Sequence, residues 1–462
     1  MQATLVDKAL LQRYDCTGPR YTSYPTALQF CNSFDANDYR RWADDSNNDP
    51  IPSPLSLYFH IPFCDTVCYY CGCSKIVTND RSRANHYVEL LKKEIRLQGQ
   101  LFAADRKVMQ MHWGGGTPTF LNDDEILDIL LSARQAFHFV DDGVGEFSIE
   151  VDPRTVDAQR VARLRQTGFN RISFGIQDFN PMVQRAVHRV QDLDQIVRNI
   201  AAARASGFVS INLDLMYGLP LQTVDSFRAT LEQAISTDPD RIAVYNYAHL
   251  PEMFKPQRRI DTGDLPDAAQ KLDILQCTIE TLQHAGYVYI GMDHFAKADD
   301  ALVRAQNEGT LHRNFQGYST HADCDIVAMG ITAISSIGNN YAQNAKTIEA
   351  YQACLEQDRI PTFRGIELEP DDILRRQIIN QLLCHFELDI RQLEAEWDFH
   401  FMAYFDCAMP ALAQMQADGL LHLSEEKLVI TPAGRLLARN VCMQFDRYLQ
   451  ERKSEEQYSR VI

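Results

Sequence analysis

Short β-rich runs alternate with helix-length segments between residues 55 and 247, and this alternation limits the possible folds more than any other feature. The β-rich runs are Leu55–Ile61, Val108–Trp113, Glu146–Val151, Arg171–Ile176, Ser210–Met216 and Arg241–Tyr247. The segments between them are Asn85–Leu97, Asp124–Phe137, Ala158–Thr167, Leu193–Ser206 and Thr223–Ser236. Because such spacing is typical of parallel strands with crossover helices, the sequence predicts an α/β fold. We expect a partial TIM-type barrel of about six parallel βα units, although the pattern also fits a small open sheet.

The segments that flank this pattern have a different character. Residues 1–53 are expected to be irregular, because Gly18–Thr26 is rich in turn-forming residues and Asn47–Pro54 is typical of a boundary. A seventh β-rich run, Tyr287–Met292, is expected to extend the sheet. The sequence thus predicts an N-terminal closing segment (1–53), a barrel domain (54–364) and a mostly helical C-terminal domain (365–462).

The C-terminal segment has the order of a winged helix: a helix at Asp371–Phe386, a helix at Ala411–Gly419, a hairpin at Leu420–Ile430 and a helix at Ala433–Tyr448. Residues 366–462 contain 10 Lys and Arg against 17 Asp and Glu, and the whole chain has a net charge of −17. A surface that binds nucleic acid needs the opposite sign, so we expect no nucleic-acid partner. The chain has neither a membrane-spanning apolar run nor an export signal, which predicts a cytoplasmic protein.

Four of the twelve cysteines lie within ten residues, at Cys64, Cys68, Cys71 and Cys73. Closely spaced thiolates of one loop are typical of iron–sulfur clusters, and a cluster with three ligands leaves one iron open. Structural zinc usually takes two separated ligand pairs, and a disulfide fits poorly with a cytoplasmic chain, so both alternatives are less favoured. The sequence therefore predicts a metal or redox centre in this loop.

The ends of the other predicted strands carry further unusual residues. A Gly114–Gly116 run follows the second strand, Glu150 closes the third, Gln177 follows the fourth and Asp214 lies near the end of the fifth. In parallel α/β barrels the active site forms at the carboxyl ends of the strands. Backbone without side chains can approach a ligand closely, although such a glycine run also fits a tight turn. We therefore place the site at this end of the barrel.

The spacing of the first three cysteines resembles that of the radical S-adenosylmethionine enzymes, and further motifs resemble one family among them, the oxygen-independent coproporphyrinogen III oxidases. These motifs are Gly18–Thr26, Tyr58–Cys64, Cys71–Cys73, His112–Thr119, Asn314–Tyr318 and Ser459–Ile462. The resemblance implies that Cys64, Cys68 and Cys71 hold a [4Fe-4S] cluster, while Cys73 is not expected to be a ligand.

The resemblance also implies two bound S-adenosylmethionine molecules. Positions matching the first are Tyr58, Gly115, Glu150, Ala248 and Ile334, and positions matching the second are Tyr70, Gly116, Thr117, Gln177, Arg189 and Asp214. Carboxylates suit ribose hydroxyls or an ammonium group, and arginine suits a carboxylate. His60 and Tyr58 are candidate catalytic residues, although a hydrogen-bonded core histidine fits His60 equally well.

The activity implied is oxidative decarboxylation of two propionates of coproporphyrinogen III to vinyl groups, which gives protoporphyrinogen IX. A 5′-deoxyadenosyl radical would take a hydrogen atom from each propionate in turn. Since the acidic chain repels an anionic substrate at long range, local cations are needed. The candidates are Arg20, Lys75, Arg258, Arg259 and Arg313. We also expect residues 1–30 to close over the barrel mouth.

An electron-donating partner such as a flavodoxin-type protein is expected, and the chain is expected to be a monomer. Two other functions within the superfamily stay open from the sequence alone: a heme chaperone that binds heme without turnover, and a radical methyltransferase that acts on heme. The Gly18–Thr26 motif, the Cys71–Cys73 ending and the long C-terminal segment favour the oxidase over the chaperone.

Overall fold

The computed structural model describes residues 7–450 and is organised around one sheet of 13 strands. The strands are β1 (Leu55–Ile61), β2 (Phe63–Cys64), β3 (Ile76–Val77), β4 (Lys107–Gly115), β5 (His138–Phe139), β6 (Glu146–Val151), β7 (Arg171–Gln177), β8 (Ser210–Tyr217), β9 (Arg241–Asn246), β10 (Tyr287–Gly291), β11 (His294–Lys297), β12 (His312–Asn314), β13 (Gly317–Ser319), β14 (Asp325–Met329), β15 (Ile334–Ser336), β16 (Asn340–Asn344), β17 (Thr362–Glu367), β18 (Glu387–Asp389), β19 (Leu421–Leu423) and β20 (Lys427–Ile430).

The helices are α1 (Lys8–Tyr14), α2 (Ala36–Asn47), α3 (Arg81–Gly99), α4 (Asp123–Ala136), α5 (Ala158–Thr167), α6 (Pro181–Ala186), α7 (Leu193–Ala205), α8 (Val224–Ser236), α9 (Ala268–His284), α10 (Ala301–Glu308), α11 (Ile348–Glu356), α12 (Pro370–His385), α13 (Ile390–Trp397), α14 (Phe401–Tyr404), α15 (Met409–Ala417), α16 (Ala438–Met443) and α17 (Arg447–Gln450). Among residues 7–450, none of these helices combines the length and the apolar run that crossing a membrane requires.

The six predicted parallel strands are confirmed as β1, β4, β6, β7, β8 and β9, each with parallel neighbours. The sheet order is β10-β11-β9-β8-β7-β6-β4-β1-β14-β15-β16-β17, with β5 beside β4. The two end strands, β10 and β17, are not paired with each other in the part of the chain described. The architecture is therefore the predicted partial barrel.

Burial alternates along the strands of this barrel. In β6, the side chains of Phe147, Ile149 and Val151 are buried, whereas those of Glu146 and Glu150 are partly exposed. Alternate residues of a strand face opposite sides of a sheet, so one face packs in the hydrophobic core and the other lines the barrel interior. The interior is polar. One cavity extends inside the barrel from the first residues of β6, β7, β8 and β9, and another lies at the carboxyl ends of the strands.

The seventh run forms a strand as expected, but it joins the sheet differently from the other six. Met292 and Asp293 form a tight turn after β10, and such a short connection can only produce an antiparallel pair. As a result β11 lies between β10 and β9 and is antiparallel to both. The seventh parallel strand is instead β14, which pairs with β1.

The expectation that residues 1–53 are irregular is wrong for two segments: Lys8–Tyr14 form α1, and Ala36–Asn47 form α2. The Asp35 carboxylate caps α2 and Asp38 completes a capping box, while Tyr39 and Ala43, four residues apart, are buried. The segment before α2 contacts the C-terminal part of the chain, since the Tyr21 hydroxyl donates to Asp446 (2.9 Å).

The C-terminal part has the element order α12-β18-α13-α14-α15-β19-β20, with an antiparallel sheet β18-β20-β19, as in a winged helix. The single helix expected at Ala433–Tyr448 is wrong, because a 3₁₀ helix (Arg435–Leu437) precedes α16 and residues 444–446 separate α16 from α17. The division at residues 53/54 and 364/365 stays a prediction, and β17 runs across the second of these positions.

Candidate active site

Four cysteines of one loop at the carboxyl end of β1, the three predicted ligands and Cys73, line a single cavity. The loop connects β2 to β3, and the Ile76 amide closes it by donating to the Pro62 carbonyl (2.7 Å). Cys64, Cys68 and Cys71 are free thiols that line a cavity of about 520 Å³. The chain thus collects the predicted ligands in one place.

The glycine run at the end of β4 packs directly against this loop. The Gly116 amide donates to the Ile61 carbonyl (2.9 Å), and a Cβ atom at Gly116 would lie only 2.6 Å from the Pro62 carbonyl oxygen. Gly115 has a φ of +114°, and a Cβ atom there would lie 2.7 Å from the His60 ring. Only glycine permits this approach. Three thiols beside the side-chain-free backbone of Gly115 and Gly116 suit a cluster with three protein ligands, whose fourth iron is left for the amino-acid part of a cofactor.

Cationic N–H groups surround the Cys68 sulfur. The guanidinium of Arg189 donates to it through Nη1 (3.3 Å), and that of Arg154 donates through Nη2 (3.6 Å). Asp152 accepts from both arginines, at 2.9 and 2.6 Å. Burial alone would raise the pKa of Asp152, but the two arginines lower it to about 2. The arrangement stabilises negative charge on the sulfur without leaving a buried cation unpaired.

The other two ligand candidates differ in their surroundings. A hydrogen bond with Cys73 lowers the pKa of the Cys71 thiol, against the opposing effect of burial, and the Lys75 ammonium group lowers it further. Burial instead raises the pKa of Cys64 to about 11. Lys75 also donates to the Cys71 carbonyl (3.0 Å), which fixes its ammonium group beside the loop.

All the residues that match the second S-adenosylmethionine position line this cavity. They are Tyr70, Gly116, Thr117, Gln177, Arg189 and Asp214, and Gly115 and Glu150 of the first set line it as well. Gln177 ends β7 with a φ of +68°, a left-handed conformation that costs a non-glycine residue about 1 kcal/mol or more. Such strain is common where a side chain is held in a functional position.

A second cavity of about 410 Å³ lies next to the first, and Glu150 and Tyr245 line both. Other residues that line the second cavity are Arg20, Tyr58, His60, His112, Asp293, His294, Arg313, Gln316 and Ile334. They come from the N-terminal segment, from β1 and β4, from β11 and the turn before it, from the β12–β13 hairpin and from β15. The two cavities together occupy the mouth of the barrel.

Both ring nitrogens of His60 have partners. Nε2 donates to the Ser74 carbonyl (3.1 Å), because that oxygen can only accept, so Nδ1 accepts from the Tyr58 hydroxyl (3.2 Å). Burial lowers the pKa of His60, which favours this neutral form. His60 therefore holds the cysteine loop and Tyr58 in position, as a core histidine does, while its ring also lines the second cavity.

The two carboxylates near the strand ends, Glu150 and Asp214, are held by side chains of β4, β7 and β8. Glu150 pairs with Nε2 of His112 (3.1 Å). Asp214 accepts from the Ser173 hydroxyl (2.8 Å) and the Asn212 amide (2.9 Å). Burial raises the pKa of Asp214 to about 6, and the nearby Glu150 contributes to the rise. A group that changes charge near neutral pH thus lies in the first cavity.

Two of the predicted substrate cations are close together in the second cavity. Arg20 forms an ion pair with Asp293 (3.0 Å). Nη1 of Arg313 donates to the backbone carbonyls of Arg20 and Tyr21 (2.8 Å each). Arg313 therefore fixes the N-terminal segment across the barrel mouth. Lys75 lines the first cavity instead.

Three predicted site residues do not line either cavity. Ala248 lies in the loop after β9. Arg258 and Arg259 are exposed, Arg258 beside Glu252 (3.7 Å) and Arg259 over the ring of Tyr69 (5.3 Å). Their positions give no support for contact with the substrate.

Sequence reasoning missed several polar residues that line the cavities, among them His112, Asp152, Arg154, Tyr245 and Asp293. The strand-end rule could have identified Asp152, Arg154 and Tyr245, which lie at the ends of β6 and β9. Asp293 lies in a tight turn that directly follows the seventh β-rich run, Tyr287–Met292, so the same rule could have identified it as well.

Comparison with known families agrees with this geometry. The Radical SAM superfamily matches residues 58–234, and the HemN C-terminal domain matches residues 368–437. The first range spans the strands from β1 to β8, and the second covers most of the winged-helix elements.

Individual relatives match nearly the whole chain. The oxygen-independent coproporphyrinogen III oxidase of Salmonella typhimurium is 50% identical over 460 residues, which is 99% of this chain and 98% of the relative. The enzyme of the same name from Pseudomonas aeruginosa is 48% identical over 456 residues, 99% and 98% of the two chains. The solved structure of the Escherichia coli coproporphyrinogen III oxidase HemN, a radical SAM enzyme, has a TM-score of 0.91 at 47% identity and covers 97% of this chain and 100% of its own. The chain belongs to the family of the oxygen-independent coproporphyrinogen III oxidases, within the radical S-adenosylmethionine superfamily.

Proposed function

We propose that this chain is an oxidoreductase that converts two propionate side chains of coproporphyrinogen III to vinyl groups without oxygen, giving protoporphyrinogen IX for heme synthesis. One observation carries the proposal: the Cys64, Cys68 and Cys71 thiols and the Gly115–Gly116 backbone line one cavity at the carboxyl ends of the strands. Relatives at 50% identity over the full length carry the oxidase name, which favours this activity over a heme chaperone or a radical methyltransferase.

Cys64, Cys68 and Cys71 would hold a [4Fe-4S] cluster, with the fourth iron open to the first of two S-adenosylmethionine molecules. When bound, these groups would supply one electron and a 5′-deoxyadenosyl radical that abstracts hydrogen, and each propionate would then lose CO2 and one electron to an acceptor to leave the vinyl group. Gly115 and Gly116 offer backbone without side chains for the amino-acid end of the cofactor. The remaining residues of the chain bind, orient and shield the reactants.

Several residues of the first cavity suit the polar parts of the cofactors. Glu150 lies between the two cavities and can accept from hydroxyl or ammonium groups on either side. Asp214 and Gln177 offer similar contacts at the ends of β8 and β7. Arg189 already donates to Asp152 and to Cys68, so we assign it to the charge balance of the loop as well as to a cofactor carboxylate.

Arg20 and Arg313 are the substrate cations that the geometry favours, since both line the second cavity. Because Asp293 neutralises Arg20 in this structure, a propionate would have to compete with that carboxylate. Arg20 and Thr22 line the second cavity. The N-terminal segment to which they belong would close over the barrel mouth and exclude water from the reacting groups.

The partners follow from the chemistry. We propose that a small electron carrier of the flavodoxin type supplies the electron and that the chain acts as a monomer. The described cysteines are free, which suits a reducing compartment such as the cytoplasm.

The test is an anaerobic assay of the reconstituted protein with S-adenosylmethionine, dithionite and coproporphyrinogen III. We expect 5′-deoxyadenosine and the divinyl product to form in parallel. Heme binding without turnover would indicate a chaperone, and S-adenosylhomocysteine would indicate a methyltransferase. Either outcome would overturn the proposal.

A further inference from the structure

A basic patch surrounds the outer side of the cysteine loop, in a chain whose net charge is −17. Its exposed members are Arg185, His188, Lys255, Arg258 and Arg259. They lie on two short segments, α6 with the turn after it and the 3₁₀ helix Lys255–Arg259. Residues 181–190 contain no acidic residue, and residues 251–260 contain three basic residues and one acidic residue. The sign of this basic patch is therefore opposite to that of the chain as a whole.

Both segments are attached to the cysteine loop. The Tyr69 amide donates to the Val187 carbonyl (3.0 Å), just after α6. The buried side chain of Gln257 donates to the Tyr70 carbonyl (2.9 Å). A Cβ atom at Gly72 would lie 3.1 Å from the ring of Phe254, so the backbone of the loop packs directly on this residue. The basic patch is thus held at a fixed position relative to Cys68 and Cys71.

Tyr69 connects the two halves of the basic patch. Its ring stacks on His188, with the centroids 5.0 Å apart and the planes at 11°. The Arg259 guanidinium lies 5.3 Å from the centre of the same ring. Since Tyr69 directly follows Cys68 and precedes Cys71 by two residues, the basic patch lies where the ligand loop reaches the surface.

Exposed apolar side chains lie on the same two segments. Met182 is 57% exposed, Val190 is 62% exposed and Met253 is 60% exposed. Apolar side chains among arginines are a common composition of protein interfaces, where the charges guide encounter and the apolar groups provide contact. Neither Arg258 nor Arg259 lines the two cavities of the active site, so the basic patch is available for another task.

We propose that this basic patch is the docking surface for an acidic one-electron carrier protein of the flavodoxin type. This inference rests on the proposed function, because it assumes a cluster held by Cys64, Cys68 and Cys71. One electron passes from the reduced carrier to the cluster: the carrier is oxidised by one electron and the cluster goes from [4Fe-4S]²⁺ to [4Fe-4S]⁺. No atom of the chain is transferred. The occupant must be acidic, because the basic patch attracts negative charge while the rest of the chain repels it.

The test measures binding of a purified recombinant flavodoxin to the anaerobic holoenzyme by calorimetry, at low and at physiological salt. The variant is the double charge reversal R258E/R259E. Its matched control is R40E/R391E, which changes the net charge equally on α2 and α13. We expect the variant to raise Kd at least about tenfold at low salt and the control to change it less than about twofold. The rate at which reduced flavodoxin bleaches the cluster should fall in parallel.

Turnover with dithionite separates this inference from the proposed function, since dithionite needs no docking surface. We expect R258E/R259E to match the wild type in iron content, thermal unfolding and dithionite-driven turnover.

Unchanged flavodoxin binding in the variant, or equally weakened binding in the control, would overturn the proposal that the basic patch is the docking surface. If R258E/R259E instead raised the KM for coproporphyrinogen in the dithionite assay, these arginines would bind the substrate, and the docking proposal would be wrong. A wild-type dimer that the variant dissociates would show that the basic patch is an interface between copies. Absence of product from the wild type with dithionite would contradict the proposed function and leave the binding measurement intact.

Discussion

The two cavities at the barrel mouth are built in different ways. The cavity beside the cysteines is lined mainly by strand ends and the loops that directly follow them, and its ligand thiols lie within eight residues of one another. The cavity beside Arg20 is closed by segments far apart in sequence: the Arg313 side chain bonds to Arg20 across 293 positions. The first is fixed by the topology of the parallel sheet, and the second depends on how distant segments pack. Substitutions should therefore act on cofactor binding in the first cavity and on substrate affinity in the second.

The largest expected effect is loss of a cluster ligand. Cys68→Ser should remove bound iron and lower turnover at least about 10³-fold, because a hydroxyl is a poor substitute for a thiolate. The loss of the cluster is measured by iron content and by its visible absorption, and the loss of turnover by 5′-deoxyadenosine formation. The matched control is Cys73→Ser, in the same loop, which should retain iron and turn over within about threefold of the wild type. Loss of iron from the control would make Cys73 a ligand.

The next effect in size comes from the glycine run. Gly116→Ala places a Cβ atom 2.6 Å from the Pro62 carbonyl oxygen, so the cysteine loop must shift. We expect kcat to fall about 10²-fold and stability to drop by about 1–3 kcal/mol. Gly143→Ala is the control, since a Cβ atom there meets nothing within 4 Å. If both variants behaved like the wild type, the close packing of β4 on the loop would be of no consequence for catalysis.

A smaller effect is expected in the second cavity, with opposite signs for two neighbouring residues. Arg20→Gln removes a cation and should raise the KM for coproporphyrinogen about tenfold. Asp293→Asn releases Arg20 from its ion pair and should lower KM. Iron content should stay constant in both, which distinguishes this cavity from the first. A rise in KM for both variants would mean that the ion pair itself shapes the cavity.

The smallest effect on catalysis is expected at Glu94, a buried residue that does not line the second cavity but contacts segments next to it. Its carboxylate accepts from the Gly330 amide (2.7 Å) and the Asn344 side chain (2.8 Å), near the turn that carries Ile334. Burial raises the pKa of Glu94 from 4.5 to about 7, against the opposing effect of its hydrogen bonds.

Because the folded pKa lies above the unfolded one, the contribution of Glu94 to stability is complete below about pH 4.5. It is lost as the pH rises to about 7, by about 3 kcal/mol in all. Denaturant unfolding of Glu94→Gln against pH should lack this decline, with kcat within about twofold of the wild type. A decline of equal size in the variant would assign it to another group.

The sequence alone was sufficient to predict the six parallel strands from β1 to β9, because their β-rich runs are short and are separated by amphipathic helices. It failed for α2, whose acidic composition hides a helix that depends on its capping box and on burial of Tyr39 and Ala43. It also failed for β14, since nothing in the run Asp325–Met329 indicates that it pairs with β1. Long-range pairing leaves no local pattern in sequence.

The same contrast holds for the site. The sequence by itself determined the cysteine loop and the strand-end residues, because their chemistry depends on neighbours a few positions away and on the rule that parallel strands end at one edge. Only the tertiary structure decided which of the candidate cations line the second cavity. It placed Arg20 against Asp293 and fixed the N-terminal segment with Arg313, while Arg258 and Arg259 lie on the outer surface. Charge at a site depends on distances in space, and residues hundreds of positions apart come together only when the chain packs.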